Sequence, residues 1–271
     1  MDRFMKNQLL PQLEDSVDKV LRHSKSILPT LARLCLVSTF IEDGFRMLYQ
    51  WNEQREFMNL SWNCGYFLAT LFVFFNLVAQ LAASTMVLIR YQVPSACILL
   101  TTIIFVQTIG YNIIWDYPFL LRNISLFGAV LLLWAECNQE GRSLFAGVPT
   151  LDENKPKNYL QLAGRVCLAL MLLTVLRFEW SFQLIQIPVA CTLMMCVFVG
   201  YKTKLSAFVL VLWLTALNFW LNAWWRVDSH KSVRDFLKYD FFQTLSVVGG
   251  LLMIVYLGPG GVSVDDYKKR W

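Results

Sequence analysis

Four ionisable residues lie within otherwise apolar stretches of the sequence, where charged side chains are unusual. Glu42, Asp43 and Arg46 share one stretch, and Arg122 lies in another. In a helix Arg46 can pair with either carboxylate, because Asp43 is three residues away and Glu42 is four. One arginine does not neutralise two carboxylates, so we predict that Arg122 is the second partner. These four residues are called the charged cluster below.

Two interpretations of the charged cluster are open. It can be a structural set of ion pairs that fixes helix packing, or it can line a cavity that opens away from the cytosol and binds a polar or peptide ligand. Inside a membrane an unpaired charge costs about 2–3 kcal/mol or more, so such residues often have a function. In a small-molecule or lipid transporter the same residues would form a substrate path.

The segment 226–240 carries a second group of charged residues, which are mixed in sign and flanked by aromatic residues. It is predicted to be the longest connection on the side away from the cytosol. The segment forms either a helix lying in the headgroup layer or a docking surface for a soluble partner. The candidate docking residues are Arg226, Asp228, His230, Lys231, Arg234, Asp235, Lys238 and Asp240.

The chain lacks the residue patterns of an enzyme, a metal site or a nucleic-acid-binding protein. Its two histidines, His23 and His230, have no plausible metal partner, and its seven cysteines are not spaced as a zinc or redox motif. The Gly-Pro-Gly-Gly stretch at 258–261 lacks the lysine and the preceding strand of a phosphate-binding loop. The net charge of +5 is spread along the chain without a polybasic patch. We therefore expect no catalytic residue, no metal, no cofactor and no nucleic-acid partner.

The elements that position these residues are predicted to be membrane-spanning helices. Hydrophobic residues make up 56% of the chain and charged residues 16%, against about 45–50% and about 25% in soluble domains. A helix needs about 20 predominantly apolar residues to cross a bilayer, which predicts an all-α polytopic membrane protein with about eight transmembrane helices. The apolar runs are 27–49, 63–89, 93–115, 118–136, 160–177, 182–200, 205–225 and 241–257.

The distribution of lysine and arginine predicts the orientation of these helices. In an eight-helix arrangement, the side that holds both termini carries more than twice as many of these residues as the opposite side. Since cytosolic loops are enriched in positive charge, both termini are expected in the cytosol.

The two halves of the chain resemble each other in sequence. Arg33-Leu34-Cys35-Leu36 resembles Arg165-Val166-Cys167-Leu168, and Ser125-Leu126-Phe127-Gly128 resembles Ser246-Val247-Val248-Gly249. Four crossings return the chain to its starting side, so the pattern predicts a parallel 4+4 repeat about an axis along the membrane normal. Chance similarity between apolar helices is the alternative. The predicted segments are a cytosolic tail 1–26, a first half 27–136, a cytosolic connecting loop 137–159, a second half 160–257 and a cytosolic tail 258–271.

The C-terminus carries a sequence that resembles a trafficking signal. Lys268 and Lys269 lie four and three positions from the end, as in the dilysine signal that coat proteins read on cytosolic tails. A cytosolic C-terminus would make this signal accessible to the coat.

From about Leu28 to its end, the chain also resembles the surfeit locus protein 4 family of ER cargo receptors. Several long and uncommon strings, in the same order, carry the resemblance. They are ARLCLVSTFIEDG at 32–44, WNCGY at 62–66, LFAGVPT at 144–150, DFLKYDFFQT at 235–244 and LGPGGVS at 257–263.

The resemblance implies a receptor that binds soluble secretory proteins in the ER lumen, partly through N-terminal peptides exposed after signal cleavage. It implies loading by the COPII coat, return by the COPI coat, and residence in membranes of the ER, the ER–Golgi intermediate compartment and the early Golgi. As a membrane protein the chain is expected to contact membrane lipids, and homo- or hetero-oligomers are both open. The family is distantly similar to four-helix DoxX-type proteins, which agrees with a duplication; by that analogy a quinone-coupled oxidoreductase is a further alternative.

Overall fold

Helices account for almost all of the regular structure in the computed structural model. The structure describes residues 26–143, 155–175, 183–228 and 232–258, and also residues 19, 23, 24, 260, 263–265 and 267. These parts of the chain contain no strand. The helices are α1 (Leu28–Tyr49), α2 (Trp51–Trp62), α3 (Gly65–Ile89), α4 (Val93–Gly110), α5 (Tyr117–Ser143), α6 (Lys155–Val175), α7 (Gln183–Val199), α8 (Thr203–Leu221) and α9 (Ser232–Leu257), with single 3₁₀ turns at Ile113–Trp115 and Trp224–Arg226.

Five of these helices are long and apolar enough to cross a membrane, judged by length and composition. They are α3, α4, α5, α8 and α9. The all-helical, multi-pass character predicted from the sequence therefore agrees with the structure, whereas the count of eight spans is not confirmed. Helices α1 and α6 are long enough but carry several charged residues, and α7 has only 17 residues.

Two tight links join neighbouring helices at the same end of the bundle. Between α3 and α4, Arg90 and Gln92 adopt left-handed backbone conformations, with φ of 61° and 44°. Between α7 and α8, Gly200 and Lys202 do the same, with φ of 79° and 45°. Pro94 lies in the first turn of α4, where its missing N–H would have had no partner within the helix.

Helix α9 lies at the centre of the packing and contacts α1, α5 and α8. Its residues from Val247 to Val255 form much of the buried core. Glycine lets it approach α1 closely, since a Cβ atom added at Gly249 would lie 2.7 Å from the Ala32 carbonyl oxygen. On the other side of the bundle α5 packs as closely on α6, where a Cβ added at Gly128 would lie 3.0 Å from the Gly164 carbonyl oxygen.

Several boundaries differ from the predicted ones. Helix α9 begins at Ser232, nine residues before the predicted run, so most of the predicted loop 226–240 is the first part of this helix. The region 49–63 contains α2, which was not predicted. Helix α5 continues to Ser143 and α6 begins at Lys155, so the predicted connecting loop 137–159 is helical at both ends. Hydropathy marks where a segment becomes apolar, and a helix can begin or end several residues beyond that point.

Candidate functional site

The two groups of charged residues identified in the sequence meet at one end of the bundle. There the last turns of α1 come together with the first turns of α9, around an open cleft of about 110 Å³. The cleft is lined by Glu42, Arg46, Tyr49, Gln50, Asp235 and Lys238. The charged cluster and the segment 226–240 are far apart in the sequence, whereas the fold brings parts of both into one site.

The α1 carboxylates have different partners. Arg46 forms an ion pair with Asp43 one turn away on the same helix, at the spacing read from the sequence. Glu42 is only 5% exposed, and its Oε1 atom lies 3.5 Å from Lys238 Nζ on α9. The Glu42–Lys238 contact is at the long end of the ion-pair range, and Arg46 on the same helix is a second nearby cation.

Two amide side chains bind Asp43 inside the bundle. Gln107 Nε2 of α4 donates to Asp43 Oδ2 over 2.9 Å. The Gln80 amide of α3 fits the same network when its nitrogen donates to Asp43 Oδ2 at 3.1 Å and its oxygen accepts from the Gly44 N–H at 2.9 Å. The sequence analysis missed both glutamines, although a glutamine inside an apolar run is itself a signal of a buried polar contact.

Arg122 does not pair with Glu42 or Asp43, so the predicted pairing was wrong. It forms an ion pair with Asp240, and both side chains are buried. The reason lies in the start of α9: because that helix begins at Ser232, Asp240 lies inside the bundle and faces α5. From the sequence, Asp240 was predicted to lie in the connection 226–240, as a candidate docking residue.

An aromatic ring connects the two ion pairs. The Arg46 guanidinium lies 5.5 Å from the Tyr239 ring centroid, and the Arg122 guanidinium lies 5.9 Å from the same centroid. Cations near an aromatic face are attracted by its quadrupole. Tyr239 therefore holds α1, α5 and α9 together at this end, a role that the sequence analysis did not assign to it.

Helix α2 packs beside the cleft through aromatic contacts. Phe57 stacks on Tyr111, with ring centroids 5.7 Å apart, and the Trp62 Nε1–H donates to the Gly110 carbonyl over 2.8 Å. Burial raises the pKa of Tyr111, and the negative charge of Asp43 adds to this shift. The Tyr111 phenol therefore stays protonated throughout the physiological pH range, and its buried hydroxyl has no hydrogen-bond partner among the residues that the structure describes.

Of the other candidate docking residues that the structure describes, only Asp235 lines the cleft. Arg234 lies over the Trp224 ring at 5.4 Å, and Gln50 Nε2 donates to Asp235 Oδ2 over 3.3 Å. Arg226 lies in a 3₁₀ turn, and Asp228 follows it; neither lines the cleft. Four candidates lie outside the described residues, namely His230, Lys231, Lys268 and Lys269.

A second buried ion pair lies at the opposite end of the bundle. Arg33 on α1 and Glu136 on α5 are 2% and 0% exposed. Arg33 Nε and Nη2 donate to the two Glu136 oxygens over 2.9 and 2.8 Å. The sequence analysis used Arg33 only as a marker of the repeat and passed over Glu136, which lies at the end of an apolar run.

The charges around the cleft suit a polar ligand. Among the residues that the structure describes, no group of three His, Cys, Asp or Glu side chains could hold a metal ion. All seven cysteines are free thiols. What remains is an open cleft with two acidic and two basic side chains, which suits a ligand that carries charge and hydrogen-bonding groups.

Comparisons with known proteins give a consistent result. Residues 7–271 match the SURF4 family, so the match begins nearer the N-terminus than the resemblance seen from Leu28. The chain is 58% identical to the "Surfeit locus protein 4 homolog" of Drosophila melanogaster over 98% of each chain. It is 34% identical to the "ER-derived vesicles protein ERV29" of Saccharomyces cerevisiae, over 90% of this chain and 78% of the yeast protein.

A relative in fission yeast is similar to the chain at a comparable level of identity. The "Surfeit locus protein 4 homolog" of Schizosaccharomyces pombe is 38% identical over 89% of this chain and 82% of that protein. No solved structure matches the chain.

Proposed function

The chain belongs to the SURF4 family, and from this premise we propose that it is a cargo receptor which carries soluble secretory proteins from the ER to the Golgi. The name of its budding-yeast relative, a protein of ER-derived vesicles, supports a role in vesicle transport. The family resemblance read from the sequence supplies the finer role: cargo binds in the ER lumen, the COPII coat loads the receptor into vesicles, and the COPI coat returns it.

The cleft between α1 and α9 is the observation that best supports a cargo site at this end of the bundle. Glu42 and Asp235 offer carboxylates, while Arg46 and Lys238 offer cations. An exposed N-terminal peptide brings an ammonium group that can compete with Lys238 for Glu42, and backbone carbonyls that can accept hydrogen bonds from Lys238 or Arg46. The Glu42–Lys238 contact of 3.5 Å is weak enough to be exchanged for such a ligand.

Site-directed crosslinking tests this assignment. A photo-crosslinking residue at Tyr49, which is 85% exposed at the rim of the cleft, should capture an N-terminal peptide from secreted cargo. The same residue at Leu60, exposed on α2 but outside the cleft, is the matched control. Excess unlabelled peptide should abolish the Tyr49 crosslink. Equal labelling at both positions would contradict the assignment.

We also propose eight membrane crossings with a parallel 4+4 repeat, both termini in the cytosol and the cleft in the lumen. Two equivalent contacts support the repeat. Gly249 of α9 packs on Ala32 and Cys35 of α1, and Gly128 of α5 packs on Gly164 and Cys167 of α6. The sequence motifs pair these residues in register: Gly128 with Gly249, Cys35 with Cys167, and Ala32 with Gly164.

Labelling from each side of the membrane tests this topology. A cysteine-free chain with a single cysteine at Trp271 should react with a membrane-impermeant reagent added to the cytosolic side of sealed microsomes. A single cysteine at Tyr49 should react only after the membrane is permeabilised. Protection of the Trp271 position in sealed microsomes would overturn the proposed orientation.

A transporter of small molecules or lipids is the second candidate. The observation that favours it is the polar network of Asp43, Gln80 and Gln107, which extends from the cleft between apolar helices. The set of secreted proteins distinguishes the two functions. If the protein is a receptor, its deletion should trap a specific set of soluble proteins in the ER. Normal secretion of every soluble protein would favour the transporter.

A further inference from the structure

The segment that follows α9 turns back and binds the start of α8. Asp265 Oδ1 accepts a hydrogen bond from the Lys202 N–H over 2.8 Å. Asp265 Oδ2 accepts from the Thr203 N–H and from Thr203 Oγ1, both over 2.9 Å. The Asp265 N–H in turn donates to the Gly200 carbonyl over 2.9 Å. The carboxylate and the backbone of Asp265 thus both bind the link between α7 and α8.

Asp265 serves α8 as an N-terminal cap supplied from elsewhere in the chain. The residue at the cap position, Lys202, has no side-chain capping hydrogen bond of its own. An acidic group at this end satisfies free N–H groups and is favoured by the helix dipole. Helix α4 begins after a similar link, with Gln92 at φ 44°, and Gln92 likewise makes no side-chain capping hydrogen bond of its own. The two links thus share a left-handed residue at the cap position.

The docked segment also fits closely against its neighbours. A Cβ atom added at Gly200 would lie 2.5 Å from Ser263 Cβ, and one added at Gly260 would lie 2.3 Å from Gln161 Oε1. Ser263 Oγ donates to the Gly260 carbonyl over 2.8 Å. Beyond the carboxylate contact, the segment thus packs closely on Gly200 and Gln161.

We propose that docking through Asp265 limits the reach of the Lys268–Lys269 signal and so weakens its capture by the COPI coat. This inference rests on the proposed retrieval function. Six residues follow Asp265, and a chain of that length can reach at most roughly 20 Å from the docking point, at about 3.3–3.6 Å per residue. A released segment would comprise the fourteen residues after Leu257, with a reach of roughly 50 Å. Asp265 is then a positioning residue for the signal.

Asp265→Ala tests the docking itself. Loss of a capping side chain should shift the docking equilibrium toward the released state by roughly 2- to 30-fold. Hydrogen exchange on the purified full chain in detergent should accelerate by a similar factor at the Lys202, Thr203 and residue-265 amides. Asp265→Asn keeps an acceptor oxygen but loses the charge, so its exchange should be intermediate.

Binding of purified COPI coat to the same full-length proteins tests the consequence. Since only the released fraction binds, Asp265→Ala should strengthen coat binding by up to the same factor. Inserting eight Gly/Ser residues between Tyr267 and Lys268, with Asp265 intact, should also strengthen coat binding while the amides stay protected. Because the insertion leaves Asp265 intact, stronger coat binding would result from the longer reach of the two lysines and not from damage to the docked segment.

The outcomes distinguish this inference from the proposed function. If Lys268→Ser/Lys269→Ser leaves coat binding of the otherwise unchanged chain intact, the retrieval function fails and the inference fails with it. If that double change abolishes binding but neither Asp265→Ala nor the insertion increases it, the retrieval function stands and the reach limit is wrong. Unchanged exchange in Asp265→Ala would also overturn the inference, because Asp265 would not hold the segment.

Discussion

At the scale of single residues, most of the buried charged side chains that the structure describes lie beside an opposite charge on another helix. Glu42 faces Lys238, Arg122 pairs with Asp240 and Arg33 pairs with Glu136. Burying an ion pair brings little net stability, because desolvation offsets much of the attraction. Removing one partner is far more harmful, since it leaves a buried charge without compensation.

Arg33 and Glu136 provide a direct test of that asymmetry. Glu136→Leu should lower the free energy of unfolding by about 3–5 kcal/mol, because Arg33 stays buried and loses its main partner. Arg33→Met/Glu136→Leu together should recover most of this loss. Thermal unfolding of the purified protein in detergent measures both. A double variant as unstable as the single one would contradict the explanation.

Exchanging the charges of Glu42 and Lys238 separates the two interpretations of the charged cluster. Glu42→Lys/Lys238→Glu keeps an attractive pair between α1 and α9 but reverses the polarity of the cleft. If the cleft binds cargo peptides, thermal stability should stay close to that of the unchanged chain while crosslinking at Tyr49 falls at least tenfold. Retained crosslinking would indicate that the cluster is only structural.

At the scale of elements, close approach of helices depends on glycine at particular positions. Between α1 and α9 the absence of a side chain at Gly249 lets backbone atoms meet, since an added Cβ would lie 2.6 Å from the Leu36 nitrogen. This contact holds α9 against α1, and that arrangement brings Lys238 to Glu42. The position of the cleft therefore depends on a glycine that is remote from it along α9.

Gly249→Ala should separate α1 from α9 and lower the free energy of unfolding by about 1–3 kcal/mol. Gly250→Ala is the matched control, because it is the same substitution in the same helix and raises the intrinsic helix propensity equally. The three atoms nearest to the control Cβ would be side-chain atoms of Leu168 and Ala129, at 3.0–3.2 Å. Thermal unfolding compares the two variants, and equal stabilities would show that the backbone contact is unimportant.

At the scale of the whole molecule, the two polar regions lie at opposite ends of the bundle. The cleft lies where α1 ends and α9 begins, while the Arg33–Glu136 pair, the two tight links and the docked C-terminal segment lie at the other end. A receptor that binds cargo on one side of a membrane and a coat on the other requires such a separation. The hydrophobic helices between the two ends supply the distance.

Lys268→Ser/Lys269→Ser tests whether the C-terminal end works as a return signal. Without the two lysines the coat should no longer retrieve the protein, so it should move forward and accumulate in the Golgi. Microscopy against ER and Golgi markers measures the change. Arg270→Ser is the control, because it removes one nearby charge and leaves both lysines. Unchanged ER residence of the double variant would remove the retrieval argument.

Local information in the sequence was enough to predict the helical class, the membrane character, the family and two possible partners of Arg46 on its own helix, of which the structure shows Asp43. Hydropathy and helical spacing depend only on neighbouring residues, so a single segment reveals them. The partners of Arg122, Glu42 and Asp265 were decided only by the tertiary structure. Each of these contacts joins distant segments, and their formation depends on where α9 begins and on which helices pack together. Hydropathy does not mark that start, because the first turns of α9 are polar.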